Sequence, residues 1–316
     1  AGFDAHLALV NRRSMILFDP VVTEKFMVPD TVVAVRLEGV QRFFDPGATY
    51  LPFGALAPEN SNTAILVADP QNGKPGYTEG TRARDNTEHR RAHFTIEADG
   101  TIEGDVTETY TGLREAEMKN LLHGLTPTER GRYFRDALKE DLKQAELTAI
   151  KILHADDPLD PLSVTYHLRV PEYADRTGSR IFIQPGIFQK NVPPLFPSAK
   201  RRADLMFGYG NEVHDEITFT LPENYAVEEA SVPSDVDIGD LGKYVVELGR
   251  NPATGDIHYR RTMTTNGVYL PAKMYEPVRQ AFDAISQRDA HTLALKRKDP
   301  TPAGTATSSE AKSSEN

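Results

Sequence analysis

Cysteine and tryptophan are both missing from the 316 residues. Without a thiol the chain has no thiolate nucleophile, disulfide, zinc ribbon or iron–sulfur ligand set, and its redox compartment stays open. Long apolar runs are missing too. No stretch approaches the roughly 20 residues that a membrane helix needs, so no membrane span is expected. Nor is there an excess of positive charge: 36 Lys and Arg face 46 Asp and Glu, a formal charge of −10. That balance gives no basic surface for phosphate backbones, and nucleic acid is set aside as a partner. Chemistry is left to His, carboxylates, hydroxyls and Lys. What is present, 39% hydrophobic residues over this length, is enough for two or three small cores, so more than one domain is expected.

Ala1-Gly2 runs directly into a strand signal at residues 3–10. A Gly in that place usually closes a helix, yet no helix, initiator Met or charged-then-apolar leader precedes it. The expectation is a fragment that lacks its upstream part; the alternative is a mature chain starting at Ala1 after leader cleavage. Further strand signals at residues 14–18, 31–37 and 41–44, with a fifth at 64–67, predict one antiparallel sheet. Residues 70–87, rich in Gly, Pro, Asn, Lys and Thr, read as a linker.

From Ala92 onward, apolar and polar residues alternate on either side of Asp99-Gly100, which predicts a hairpin with positive φ at Gly100. Thr126-Pro127-Thr128-Glu129 supplies a cap, a Pro at the first helical position and a Glu three after the cap. Phe134, Ala137, Leu138 and Leu142 then recur at helical spacing, predicting a helix over about residues 127–146. Strands are expected at 147–153, 162–170, 180–183, 215–221, 225–230, 244–248 and 256–264. A short helix opens at Glu276-Pro277, and residues 292–295 form a closing strand. Residues 299–316 have the composition of a disordered tail, and there is no internal repeat. The fold class is thus mainly β with a few helices (α+β).

Familiar chemical signatures fail. Phe207-Gly208-Tyr209-Gly210 lacks the third glycine of a dinucleotide loop, Gly239-Asp240-Leu241-Gly242-Lys243 has the wrong spacing for a nucleotide-binding lysine loop, and no Gly-x-Ser-x-Gly elbow occurs. His89 and His93 stand four apart, but in a strand context without an acidic partner at ligand spacing. Asp156, Asp157 and Asp160 sit among prolines in what reads as an ordinary loop. No metal site and no cofactor are expected.

Residues 1–69 carry a more specific pattern. Ala1-Gly2-Phe3-Asp4-Ala5, then Phe43-Phe44-Asp45-Pro46-Gly47, then Leu51-Pro52-Phe53-Gly54 resemble, in that order, the C-terminal half of a bacterial transglutaminase-like, papain-type core flanked by uncharacterised β domains. The resemblance places Asp45 at the triad-acid position. Fifteen residues before it, where the family has its histidine, stands Asp30. A carboxylate cannot take a proton from a thiol and hold it near neutral pH, and its charge raises a nearby thiol's pKa.

The resemblance continues more loosely through Pro171-Glu172-Tyr173-Ala174 and through Leu221-Pro222-Glu223-Asn224-Tyr225. It implies five regions: residues 1–69, half of a transglutaminase-like core; 70–87, the linker; 88–190, a middle β region with one long helix; 191–298, a sandwich-like C-terminal β domain of uncharacterised function; and 299–316, the tail. It also implies a periplasmic or secreted protein. With no Cys and with Asp30 in the histidine's place, the expected role is non-catalytic binding or scaffolding, with Asp45 vestigial and a protein or glycan as partner. The alternatives are part of a cysteine-dependent amide hydrolase or acyltransferase whose nucleophile lies upstream of Ala1, and a β-domain module recognising peptide or glycan.

Overall fold

A computed structural model of the chain describes residues 2–15, 25–71, 73, 75–229, 231–267 and 269–298. The expected tail at 299–316 and most of the expected strand at 14–18 lie outside these residues.

Five strands form the first sheet: β1 (Asp4–Val10), β2 (Asp30–Leu37), β3 (Val40–Phe44), β4 (Ala64–Val67) and β5 (Pro75–Tyr77), in the order β3-β2-β1-β4-β5. Every pair is antiparallel, as expected. Side chains alternate across such strands, so Ala8, Val10, Val32, Ala34, Ile65 and Val67 meet on one face and, with Leu56, form a small core. The opposite phase of β1 is open to solvent, with Leu7 61% exposed.

The remainder begins with β6 (Thr87–Ile96), β7 (Ile102–Tyr110), α1 (Gly112–Leu122), α2 (Pro127–Asp141), β8 (Glu146–Leu153), β9 (Ser163–Val170), β10 (Asp175–Thr177) and β11 (Arg180–Ile183). It continues through β12 (Leu205–Met206), β13 (Asn211–Thr220), β14 (Tyr225–Glu229), β15 (Val236–Asp237), β16 (Gly242–Arg250), β17 (Ile257–Thr265), β18 (Tyr269–Leu270), α3 (Tyr275–Asp289) and β19 (Leu293–Arg297). Eight of these strands make one sheet in the order β15-β16-β17-β13-β6-β7-β9-β8, four make a second in the order β10-β11-β19-β14, and β12 pairs with β18. Among the described residues the architecture is mainly β with three α-helices.

The hairpin at Asp99-Gly100 forms as predicted. Gly100 has φ +92°, and a Cβ there would lie 2.4 Å from the Ala174 carbonyl oxygen, so only glycine fits the turn. The Thr126 capping box forms too: the Glu129 N–H donates to Thr126 Oγ1 at 3.3 Å, and the Thr126 N–H donates to Glu129 Oε2 at 2.8 Å. The helix nevertheless ends at Asp141, five residues short of the expected end. Leu142 and Ala145 turn into the core, and Lys143-Gln144 make the bend that lets β8 start at Glu146.

A second helix in the middle region, α1, was not expected. Its buried residues Leu113, Ala116, Met118, Lys119 and Leu122 include a lysine, which breaks the apolar stripe that announces a helix. Lys119 is only 2% exposed, and its Nζ donates to the carbonyls of Asp157 and Asp160, 2.7 Å each, and pairs with Glu115 at 2.7 Å.

Both larger sheets run across residue 190. In the eight-stranded sheet the seam is β13 lying parallel on β6, Glu212 opposite Thr87 through Thr220 opposite Thr95; in the four-stranded sheet it is β11 antiparallel to β19. Ile181, Ile183, Leu293 and Leu295 of the smaller sheet share one buried cluster with Phe94, Ile102, Phe219 and Tyr259 of the larger. Within residues 70–87, β5 joins the first sheet, and Asn86 is fully buried. The Asn86 side chain donates to the Gly210 carbonyl at 2.8 Å and accepts the Leu113 N–H at 2.9 Å.

Candidate functional site

The two carboxylates singled out by sequence sit on neighbouring strands of the first sheet, Asp30 at the start of β2 and Asp45 just past the end of β3. Asp45 follows β3 and closes its own turn: its Oδ1 accepts the Gly47 N–H at 3.1 Å, and its carbonyl accepts the Ala48 N–H at 3.3 Å. Asp30 opens β2 opposite Val10 and receives both Nε and Nη2 of Arg12, at 2.9 and 2.8 Å. Phe44 pairs with Val33, so the antiparallel register brings both acids to the same end of the β2–β3 pair, where each is bonded to a different partner. His6 bonds Asp4 at 2.9 Å, and among the described residues no histidine bonds Asp45. His89 and His93 share the outward phase of β6, where His89 lies beside His214 with ring centroids 5.7 Å apart and His93 bonds Thr220 at 3.0 Å. In the Asp156–Asp160 loop, Asp156 is held by Arg130 at 2.8 and 2.6 Å. Ligand atoms of His154, Asp157 and Asp160 lie within 4.8 Å of one another, all three residues exposed.

A denser set of charges sits on the inward face of the eight-stranded sheet. On β6, Glu88 and Arg90 occupy the phase of buried Ala92, Phe94 and Ile96. The register then aligns Glu108 of β7 with Arg90, Arg90 with Asp215 of β13, and Asp215 with Arg261 of β17. One rung thus reads acid, base, acid, base across four strands. Arg90 Nε donates to Asp215 Oδ1 at 2.6 Å, and the side chains are 14% and 0% exposed. Arg261 reaches Asp289 at the end of α3 through Nε and Nη2, 2.7 and 2.9 Å, and the Tyr244 hydroxyl donates to the same carboxylate at 2.8 Å. Arg114 of α1 donates to Glu88 at 2.9 and 2.6 Å. Phe188 covers Arg90, the guanidinium carbon 4.5 Å from the ring centre.

Burial sets the protonation of this group. Glu88 is pushed up by desolvation, but the guanidinium groups of Arg90 and Arg114 outweigh that and hold it below the usual carboxylate range. Glu108 goes the other way. Burial and the neighbouring Glu88 raise it, and the hydroxyls of Tyr110 and Tyr166, donating at 2.5 and 2.6 Å, offset that only in part. A carboxyl whose charge is disfavoured beside tyrosines and arginines is the kind of perturbed group that marks a functional site.

Two openings reach the rung. A pocket of about 200 Å³ lies between α2, the helical turn Ile187–Gln189 and the sheet, and includes Glu88, Arg90, Glu108, Tyr110 and Tyr166 in its lining. A wider cleft of about 610 Å³, under the segment 184–195 and beside α3, is bordered by Gln184, Gln189, Asn191, Arg261 and Asp289. Sequence reasoning passed over these charged residues. The signal that could have found them is phase: Glu88 and Arg90, Asp215 and Arg261 each fall on the inward positions of strands whose other inward residues are apolar.

Among comparisons with known proteins, a family model described as a domain of unknown function with a solved structure, DUF3858, matches residues 179–295. The match runs from β11 into β19 and overlaps the region where a C-terminal domain of uncharacterised function was expected. No curated protein matches the chain. A crystal structure of a suspected protease from Parabacteroides distasonis is similar at 11% identity and a TM-score of 0.46, over 94% of this chain and 41% of that one. The present chain therefore spans well under half of that protein's length.

Proposed function

We propose that this chain is a non-catalytic part of a transglutaminase-like exported or envelope protein, acting by binding or scaffolding in the periplasm or outside the cell. The observation that carries this reading is the bidentate contact of Arg12 with Asp30. The position at which the resemblance calls for an imidazole is occupied by a carboxylate already committed to a guanidinium group. Such a pair can neither accept a thiol proton nor hand one to a leaving group. Asp45, without an imidazole to orient, serves its own turn through the Gly47 N–H. The DUF3858 match supports the ancestry, since that domain is associated with transglutaminase-like proteins. In the described residues no helix is long and apolar enough to cross a membrane.

The wide cleft beside α3 favours a second reading, recognition of peptide or glycan by the β domains, because side-chain amides of Gln184, Gln189 and Asn191 line it together with Arg261. The test of the first reading is turnover. The chain, incubated with a glutamine-containing peptide and a primary amine and separately with casein, should release neither ammonia nor peptides above the buffer rate. Turnover that disappears in Asp45→Ala would overturn it.

A further inference from the structure

The pocket between α2 and the sheet combines an apolar wall with a surplus of acid. Met118, Phe134, Leu138, Ile187 and Phe188 supply the wall. Three carboxylates line it, Glu88, Glu108 and Asp141, against two guanidinium groups, Arg90 and Arg114. Both guanidinium groups are engaged, Arg114 with Glu88 and Arg90 with Asp215. Among the described residues neither Glu108 nor Asp141 forms a salt bridge. The Glu108 residue is 8% exposed. Each of its oxygens takes one tyrosine hydroxyl, which leaves part of the roughly four-fold acceptor capacity of a carboxylate unused.

From this geometry we propose that the pocket binds an alkylammonium group, its chain against Phe134, Leu138 and Phe188 and its head at Glu108. This rests on the binding role proposed above and names the ligand chemistry that such a role would use. The charged and titratable groups facing the head are Tyr110 from β7, Tyr166 from β9, Glu88 and Arg90 from β6, Arg114 from α1, and Tyr133 and Asp141 from α2. Two acids there share a direction: burial raises Glu108, helped by Glu88, and burial raises Asp141, helped by Glu140. An incoming ammonium supplies the missing positive charge. A cation beside Glu108 favours its charged form, so any proton that Glu108 holds passes to solvent while the ammonium keeps all of its own. A lysine side chain of a peptide and a free amine offer the same head.

Isothermal titration calorimetry of the whole chain tests this with n-butylammonium, Nα-acetyl-lysine methylamide, butanol and butyrate. Both cations should bind at least about tenfold more tightly than butanol or butyrate. Affinity should rise, not fall, as pH increases and Glu108 ionises. Tighter binding of the capped lysine assigns the site to a peptide; tighter binding of n-butylammonium assigns it to a free amine. Glu108→Gln should weaken both cations by about tenfold or more. Should that variant fail to fold, Leu138→Trp, which fills the apolar wall from a half-buried position, is expected to block binding instead. Equal binding of butanol and n-butylammonium, or no cation binding at millimolar concentration, would refute the site. Neither result bears on the absence of turnover, so the two proposals fail separately.

Discussion

The first sheet and the eight-stranded sheet treat charge in opposite ways. In the first, Asp30, Asp45 and Asp4 stand at strand ends in contact with water, with partners that are local or surface-borne. Its core is seven small or aliphatic residues, and large apolar side chains such as Phe3 and Phe53 remain 69% and 89% exposed. In the second, Glu108, Arg90, Asp215 and Arg261 are drawn into the sheet's inner face and must satisfy one another. Among the interior acids, Glu108 is raised by burial and by Glu88. The sequence motif pointed to the first sheet; the buried, mutually bonded charges are in the second.

The sharpest way to break this contrast is Arg261→Ala. It leaves the buried Asp289 with the Tyr244 hydroxyl in place of a cation, while Asp215 keeps Arg90, and losing one partner of such a pair costs about 3–5 kcal/mol. Urea denaturation measures the loss, and an effect no larger than that of a surface substitution would mean that water reaches the rung freely. An intermediate effect is expected from pH. Glu108 is raised above its ordinary 4.5, so the folded chain holds that proton longer than the unfolded chain does. Its stabilising contribution is complete below the ordinary value and is lost as pH rises through the raised one. Glu108→Gln cannot ionise, so its stability relative to the parent chain should climb as pH increases above 4.5, read as urea midpoints across the pH range. The smallest effect belongs to the first sheet. Asp45→Ala removes one exposed hydrogen bond to the Gly47 N–H and should cost about 1 kcal/mol or less, with no change in any activity. A larger loss on thermal melting would give Asp45 a structural weight that its surroundings do not suggest.

Much of the secondary structure could be read in advance because its signals are local. Asp99-Gly100 needs a residue tolerant of positive φ, and Thr126-Pro127 with Glu129 writes a helix start in four letters. Helix α1 escaped notice because its interior position 119 is a lysine, neutralised only by carbonyls about forty residues away and by Glu115. The end of α2 was overestimated because the pull of Leu142 into the core is a tertiary effect. The rung was hidden for the same reason. Glu88 and Arg90 look like ordinary polar residues at the edge of the middle β region until β13 is laid beside them, and that neighbour is 125 positions away for Arg90 and Asp215.

That distance also shapes how the molecule comes into being. While a ribosome is still making residues 191–210, β6 has β7 on one flank and nothing on the other, its backbone amides on that flank unpaired and Phe94 short of its partner Phe219. The central seam can close only after Asn211–Thr220 has emerged, so the largest core assembles late and through a long loop, a topology that folds slowly. During that interval the nascent chain displays an unpaired strand edge of the kind that recruits chaperones or other copies of itself.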